Sequence, residues 1–136
     1  MSQENVEIVR RLLTARRDEA PDLFAKLLAE LLDPAVRLDL SGRVFNPDVY
    51  EGYDGIMRWR ADVDDVWESY QMEPVEFFDG DEVVVVTARE RGRGRGSGVE
   101  VDRHVTFLCR LRAGRVSEIR SYDDGRRALR DAGLER

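Results

Sequence analysis

Apart from carboxylates and guanidinium groups, few side chains in this sequence could take part in chemistry. The sequence contains a single histidine, His104, and a single cysteine, Cys109. A metal site needs three or more converging ligands, and one histidine without a patterned acid cluster supplies no such set. A lone cysteine also leaves no disulfide within the chain. We therefore expect neither a metal nor another cofactor.

His104 has the side-chain type whose ordinary pKa lies closest to neutral pH, which would suit a general acid or base. Around it, Val105, Phe107 and Cys109 alternate and predict a strand with one apolar face. This alternation places His104 on the opposite face, so a surface or interface histidine is the favoured interpretation. Cys109, which has no evident basic partner, is expected to be an unreactive core thiol.

Two arginines, Arg89 and Arg103, interrupt segments that otherwise have the composition of strands. A guanidinium fork holds a carboxylate well, so either arginine could clamp an acidic ligand inside a cavity. The alternative is cross-strand pairing with Glu90, Glu100 or Asp102. The sequence leaves both interpretations open and favours the second.

The aromatic side chains supply most of the bulky apolar surface, and several of them share one helical pattern. Apolar residues recur at intervals of three and four at Ile56, Trp59, Val63, Val66, Trp67 and Tyr70. This spacing predicts an amphipathic helix over about 53–70. Trp59 and Trp67 are expected to be core residues first and cavity walls second, and further aromatic surface comes from Phe45, Tyr53 and Tyr122.

A run of alternating arginine and glycine spans Arg91 to Gly98, a composition also found in segments that bind single-stranded RNA. The run is short and has no adjacent aromatic residue, and from 89 to 103 the five bases and three acids leave a charge of only +2. We interpret it as a mobile hairpin loop. The whole chain has 28 acids against 22 bases and a net charge of −6, which argues against nucleic-acid and membrane partners.

The remaining helices follow from apolar spacing and from helix-ending residues. The pattern predicts a first helix over about 4–17 and a second from Leu23 to Leu31, with Pro21 suited to its first position. A short final helix over about 124–132 is expected to stop at Gly133.

The strands follow from period-2 alternation and from turn residues between the runs. Alternation predicts a strand at Val36–Leu40, followed by a long loop from Ser41 to Gly52. Later β-rich runs predict an antiparallel meander at Met72–Phe78, Glu82–Arg91, Val99–Arg112 and Arg115–Tyr122. The resulting order, α-α-β-α-β-β-β-β-α, is typical of an α+β fold with helices on one face of a sheet.

The run from Val83 to Val86 is apolar at both alternating positions. Such a strand must be covered on both faces, and a second copy of the chain is the simplest cover for the face that the helices leave open. We therefore predict one domain over residues 1–136 that forms a homodimer.

No apolar window approaches the length of a membrane span, and the N-terminus lacks the features of a secretory signal, so we expect a cytoplasmic protein.

Four short motifs, together with the element order, resemble a known family. They are Leu31–Val36 (LLDPAV), Gly52–Ile56 (GYDGI), Arg112–Val116 (RAGRV) and Arg127–Leu134 (RALRDAGL). Over nearly its whole length the chain resembles a bacterial SnoaL-like domain of the nuclear transport factor 2-like (NTF2-like, or cystatin-like) superfamily. The resemblance implies a cone-shaped α+β barrel, in which a curved antiparallel or mixed sheet wraps around the long third helix and leaves an apolar cavity.

This superfamily includes ketosteroid isomerases, polyketide cyclases, dehydratases, epoxide hydrolases and non-catalytic binders, so the fold does not decide the function. Alignment with the isomerases places Asp39 at their general base, although alternation with Leu38 allows Asp39 to lie on the solvated face. Their oxyanion-stabilising tyrosine falls at Leu12 and their protonated acid at Phe107, and neither residue here can donate a hydrogen bond. The resemblance therefore disfavours steroid isomerisation of that type.

The expectation is a protein that binds a small hydrophobic molecule in the cavity of the cone. The expected ligand-binding residues are Tyr53, Trp59, Trp67, Arg89, Arg103 and Phe107. If the protein is an enzyme, the expected chemistry is proton transfer, as in isomerisation, cyclisation or dehydration, with Asp39 as base and Tyr122 or an arginine as electrophilic helper. The alternative is a non-catalytic ligand-binding module or a dimeric interaction module.

Overall fold

The computed structural model describes residues 2–15, 21–41 and 48–134. The described helices are α1 (Ser2–Leu13), α2 (Pro21–Leu31), α3 (Gly52–Val66) and α4 (Gly125–Asp131). The described strands are β1 (Leu32–Asp39), β2 (Val49–Glu51), β3 (Trp67–Asp79), β4 (Val83–Gly94), β5 (Glu100–Arg112) and β6 (Arg115–Tyr122). None of these helices has the length and apolar character that crossing a membrane would require.

The strands form one sheet in the order β2-β1-β6-β5-β4-β3. The β1–β6 pair is parallel and the other neighbouring pairs are antiparallel. Register shifts in β3, between Trp67 and Ser69 and between Pro74 and Glu76, bend the sheet. The α+β class and the curved, mixed sheet are confirmed, but the sheet is not closed into a barrel, because β2 and β3 are its two edges.

The concave face of the sheet packs against the first three helices. Its buried cluster joins residues of α1, α2, α3 and the sheet, including Val9, Phe24, Leu28, Ile56, Val84, Val86 and Phe107. In α3, the apolar residues spaced at three and four form the face that packs toward this cluster, and Ile56 and Val63 on it are buried. The first three helices therefore cover the concave face, and the strands form the wall of the cone.

The convex face of the sheet is covered in part by α4. A second cluster there joins Val83, Val85, Leu108 and Tyr122 to Ala128 of α4. The apolar face that suggested a second copy of the chain thus has a cover within the chain. Asp124 caps the start of α4 by accepting a hydrogen bond from the amide of Arg126 at 2.9 Å, and Gly133 follows its end with a φ of +76°, as the sequence predicts.

The prediction that the third helix reaches residue 70 is wrong. α3 ends at Val66, and the next residue is already extended, with φ −111° and ψ 126° at Trp67. Trp67 and Tyr70 belong to β3, where Trp67 pairs with Gly94 and Tyr70 with Gly92. The apolar spacing over 66–70 fits a helix and a strand equally well, and pairing with β4, which is distant in sequence, decides between them.

Other boundaries differ by a few residues. α1 ends at Leu13 rather than near 17, and β1 begins at Leu32, with an irregular register up to Arg37. The predicted loop from Ser41 to Gly52 contains the short strand β2, which pairs with β1. Phe45, expected to add aromatic surface, lies outside the described residues.

The first half of the arginine–glycine run is strand rather than loop, because β4 continues to Gly94 and the turn begins only at residue 95. Arg91 lies 3.5 Å from Glu73 and Arg93 lies 2.6 Å from Glu100. Arg95 donates hydrogen bonds to the carbonyls of Asp64 and Trp67, each at 3.1 Å, and so ties the hairpin to the end of α3. These contacts give the arginines of the run a structural role.

Candidate functional site

A cavity of about 630 Å³ lies between the three helices and the concave face of the sheet. We call it the main cavity. This volume falls within the range of about 300–1,000 Å³ that is usual for small-molecule sites. Its walls come from every layer of the cone and include Val9, Phe24, Leu28, Leu38, Ile56, Met72 and Phe107. The lining is therefore mainly apolar.

The floor of the main cavity is built by apolar residues at inward positions of neighbouring strands. Leu38 on β1 pairs with Ile119 on β6, and Ile119 pairs in turn with Cys109 on β5. All three line the cavity. Burial raises the pKa of the Cys109 thiol to about 12, so the thiol stays protonated near neutral pH and is a poor nucleophile.

The polar lining residues lie mainly along β3 at the mouth of the main cavity. Glu68, Ser69, Gln71 and Glu73 line it and are exposed. Arg60 of α3 also lines it, and its guanidinium carbon lies 4.3 Å from the centre of the Phe24 ring. Tyr70, which lies between the exposed Ser69 and Gln71 on β3, is half-buried. A ligand would therefore meet charge at the mouth and apolar surface inside.

Asp39, the expected general base, does not line the main cavity. It follows Leu38, which does line it, and alternation along β1 turns the Asp39 carboxyl to the convex face. There Oδ1 accepts hydrogen bonds from the Ser41 hydroxyl at 2.5 Å and from the Ser41 amide at 3.0 Å. Arg37 lies 3.4 Å from Oδ2. The carboxyl is thus engaged on the face away from the cavity.

The electrostatics of Asp39 also run against a base near neutral pH. Burial alone raises the pKa of its carboxyl, but the hydrogen bonds from Ser41 and the charges of Arg37 and Arg120 outweigh burial and hold the pKa below its ordinary value. A carboxylate works as a general base when its pKa is raised toward the working pH and when it reaches the substrate. Neither condition is met at Asp39.

Tyr122, the expected electrophilic helper, lies in the cluster on the convex face together with Val83 and Val85. Its hydroxyl donates a hydrogen bond to Asp131 of α4 at 2.6 Å. Burial, and then the hydrogen bond to Asp131, raises the pKa of the phenol. Because the sheet separates Tyr122 from the main cavity, Tyr122 joins α4 to the sheet rather than contacting that cavity.

The two candidate arginine clamps pair with acids of the neighbouring strand, as in the favoured interpretation. Arg89 donates to both carboxylate oxygens of Asp102, at 2.8 and 2.6 Å. Arg103 donates from Nε to Glu90 at 2.8 Å. Neither arginine is among the residues that line the main cavity. Tyr53 does not line it either, and its hydroxyl donates to the carbonyl of Leu32 at 2.8 Å.

Trp59 and Phe107 are the expected ligand-binding residues that do line the main cavity. Trp67 lines a second cavity of about 560 Å³, which lies between the end of α3 and the tip of the β4–β5 hairpin. Gly92 leaves room for this tryptophan, since a Cβ at that position would lie 2.8 Å from the Trp67 ring. The two cavities share Trp59, Val63 and Tyr70 as walls.

Sequence reasoning offered Glu90 as a pairing partner of an arginine, but it missed the polar cluster that the buried Glu90 forms with Arg103 and Tyr70 beside these shared walls. Glu90 is 1% exposed, and its carboxylate accepts hydrogen bonds from the Tyr70 hydroxyl at 2.5 Å and from Arg103. A signal for it was present, because Glu90 continues the inward-facing alternation of Val86 and Ala88 along β4. A charged residue at such a position needs buried partners.

His104 is exposed and lies outside both cavities, in agreement with the alternation along β5. Within residues 2–15, 21–41 and 48–134, no three histidine, cysteine, aspartate or glutamate side chains converge in a way that could hold a metal ion.

Several solved structures share this fold. An NTF2-like protein from Burkholderia xenovorans LB400 is 25% identical, with a TM-score of 0.75 and 97% of each chain covered. A candidate SnoaL-like polyketide cyclase from Jannaschia sp. CCS1 is 24% identical, with a TM-score of 0.73 over 89% of this chain and 85% of that chain. TerC, co-crystallised with polyporic acid, is 19% identical, with a TM-score of 0.72 over 95% of this chain and 97% of that chain.

These likenesses confirm the cone-shaped fold that the sequence motifs suggest, that of the SnoaL-like and NTF2-like proteins. No protein-family profile matches the chain, and a search of curated proteins gives no match. At these identities the similarity extends to the fold and not to a reaction.

Proposed function

We propose that this chain, which has the fold of the SnoaL-like and NTF2-like proteins, binds a small and largely apolar molecule in its main cavity. The observation that carries the proposal is the cavity itself, with a volume of about 630 Å³ and an apolar floor on β1, β5 and β6. A protein interior ordinarily has few voids larger than a water molecule. An apolar cavity of this size is therefore suited to a small ligand.

A protein of similar fold, TerC, has been crystallised with a small organic molecule, polyporic acid. Because that chain is only 19% identical to this one, we carry over only the idea that a cone of this kind can hold such a molecule. The ligand class proposed here comes from the lining of the main cavity.

Proton-transfer chemistry, such as isomerisation, cyclisation or dehydration, has less support than binding. The expected base, Asp39, and the expected helper, Tyr122, lie away from the main cavity. The carboxylates among its described lining residues, Glu68 and Glu73, are exposed at the mouth. At the mouth both carboxylates stay in contact with water, away from the apolar floor where a ligand would be enclosed. We therefore favour a non-catalytic ligand-binding protein.

The test of the proposal is to fill the main cavity from its floor. Nile red, a neutral apolar dye, should bind the wild-type protein with increased fluorescence, and Ile119→Trp should weaken binding by at least about tenfold because the indole occupies the space of the dye. The matched control is Val75→Trp, which adds the same side chain at a residue that is 56% exposed. Wild-type protein that is folded but does not bind the dye, or equal binding by Ile119→Trp, would contradict the proposal.

The homodimer stays a separate proposal. Its original reason is weakened, since α4 covers Val83 and Val85 on the convex face. Light scattering at micromolar concentration distinguishes the outcomes. A mass of twice 15.7 kDa would support the dimer and a dimeric interaction module, and the mass of a single chain would remove both.

A further inference from the structure

We propose that Tyr70, held in place by Glu90, is the hydrogen-bond acceptor of the main cavity, and that the ligand carries a hydroxyl, phenol or N–H donor on an otherwise apolar body. This inference rests on the proposed function, because it concerns the polar recognition of the same ligand. It assigns a role to the polar cluster around the buried Glu90 on the concave face.

Tyr70 is placed where a ligand would meet it. Tyr70 lies on β3 and lines both the main cavity and the second cavity. The neighbouring polar residues Ser69 and Gln71 are exposed at the mouth, whereas Tyr70 is half-buried. A ligand that passes the mouth therefore meets Tyr70 where contact with water is reduced, and a hydrogen bond there discriminates more strongly between ligands.

The direction of the hydrogen bond between Tyr70 and Glu90 follows from the ion pair beside it. Arg103 donates to Oε1 of Glu90 at 2.8 Å, and the Tyr70 hydroxyl lies 2.5 Å from Oε2. A carboxylate paired with a guanidinium is ionised and only accepts hydrogen bonds. Tyr70 must therefore donate its proton to Glu90, and what its oxygen can offer a ligand is a lone pair.

Burying the carboxylate of Glu90 is unfavourable in free energy. Burying a carboxylate removes its hydration, and a buried ion pair often stabilises a protein no better than apolar side chains of the same volume. Fold stability alone thus gives little reason for Glu90 at a position that continues the inward-facing row of Val86 and Ala88. A charged anchor that fixes the proton of Tyr70 supplies such a reason.

The expected ligand chemistry follows from these steps. A hydroxyl, phenol or N–H group can donate to the Tyr70 oxygen, whereas a ketone, an ether or a carboxylate would set one lone pair against another.

The experiment compares three neutral probes of one size that differ in hydrogen bonding, namely 1-naphthol, 1-methoxynaphthalene and 1-methylnaphthalene. Calorimetry or quenching of tryptophan fluorescence gives their dissociation constants. After correction for their partition into octanol, we expect wild-type protein to bind 1-naphthol at least about fivefold more tightly than the other two. This comparison needs no variant, so it stands even where a substitution impairs folding.

Tyr70→Phe should reduce binding of 1-naphthol to the level of 1-methoxynaphthalene and leave 1-methylnaphthalene unchanged. Tyr53→Phe is the matched control, because it removes a phenol that does not line the main cavity, and it should leave all three affinities unchanged. Thermal unfolding verifies that each variant is folded.

Affinities in the wild-type protein that follow partition alone would overturn the assignment of Tyr70, as would an equal loss for all three probes in Tyr70→Phe. Either result would leave the proposed function intact. If folded wild-type protein binds none of the three probes and no Nile red, the proposed function itself fails.

Discussion

The two faces of the β4–β5 strand pair carry the same kind of ion pair, one residue apart, in opposite environments. On the convex face, Arg89 pairs with Asp102, and the two side chains are 40% and 52% exposed. On the concave face, Arg103 pairs with Glu90, whose side chain is 2% exposed. The first pair keeps most of its hydration, whereas the second has given up its own. Both pairs join an arginine to a carboxylate, and burial separates a surface pair from part of a candidate binding site.

The same contrast recurs on β1, where Leu38 and Asp39 are neighbours in sequence. Leu38 forms part of the floor of the main cavity, and Asp39 takes part in a network of arginines and Ser41 on the other face. Two neighbouring residues of one strand, Leu38 and Asp39, therefore have different roles, because their side chains lie on opposite faces of the sheet. The contrast also explains why the base expected from the resemblance does not meet the cavity.

The largest effect is expected from removing one partner of the buried pair. Arg103→Ala should lower the free energy of unfolding by about 3 kcal/mol, because it removes the guanidinium that pairs with the buried Glu90 carboxylate. The measurement is urea denaturation followed by circular dichroism. Arg89→Ala is the matched control on the convex face and should leave the midpoint close to that of the wild type. Equal effects of the two substitutions would show that the faces do not differ in this way.

A second prediction concerns Cys109, which is 1% exposed in the apolar floor of the main cavity. Its pKa is raised by burial from 9.0 to about 12, so the folded state keeps the thiol proton longer than the unfolded state does. The stability that this contributes is complete below pH 9 and is lost as the pH rises toward 12, at about 1 kcal/mol per pH unit. Urea denaturation between pH 8 and 11 should show a steeper decline for wild type than for Cys109→Ala.

Parallel declines for the two proteins would mean that water reaches Cys109. Reaction with a thiol reagent provides a check at neutral pH. The native protein should react far more slowly than the urea-unfolded protein, because a buried, protonated thiol is a poor nucleophile.

The smallest effect is expected at Asp39 on the convex face. Its pKa lies below the ordinary value of 3.8, so its contribution to stability is present above that value and is lost as the pH falls through the lowered pKa. Asp39→Asn should therefore cost about 1 kcal/mol at pH 7 and almost nothing near pH 2. Nile red binding should be unchanged. A large loss of dye binding in folded Asp39→Asn would return Asp39 to the functional site.

Local patterns predicted much of the fold. Pro21 begins α2 and Gly133 follows α4 as expected, and both apolar faces of Val83–Val86 are covered. The helical assignment of Trp67 and Tyr70 failed because five residues of apolar spacing cannot distinguish the end of a helix from the start of a strand. The long-range pairing of β3 with β4 supplied the missing information.

Less of the candidate site was predictable. Trp59 and Phe107 were identified as lining residues, but the expected base and helper lie on the convex face. Alternation around Asp39 had indicated that outcome as the alternative, whereas the resemblance to the isomerases pointed to the cavity. The proposed acceptor Tyr70 was missed, because its role depends on Glu90 of β4, which it contacts, and on Arg103 of β5, which pairs with Glu90.

The sequence by itself determined the element types, most of their order, the two-sided burial of β4 and the faces on which neighbouring strand residues lie. Periodicity and turn residues encode these features, and they act over a few positions along the chain. Only the tertiary structure decided that α4 covers the convex face, that an apolar cavity stays open inside the cone, and that Tyr70, Glu90 and Arg103 meet. These features depend on strand register and on sheet curvature, which arise from contacts between residues that are distant in sequence.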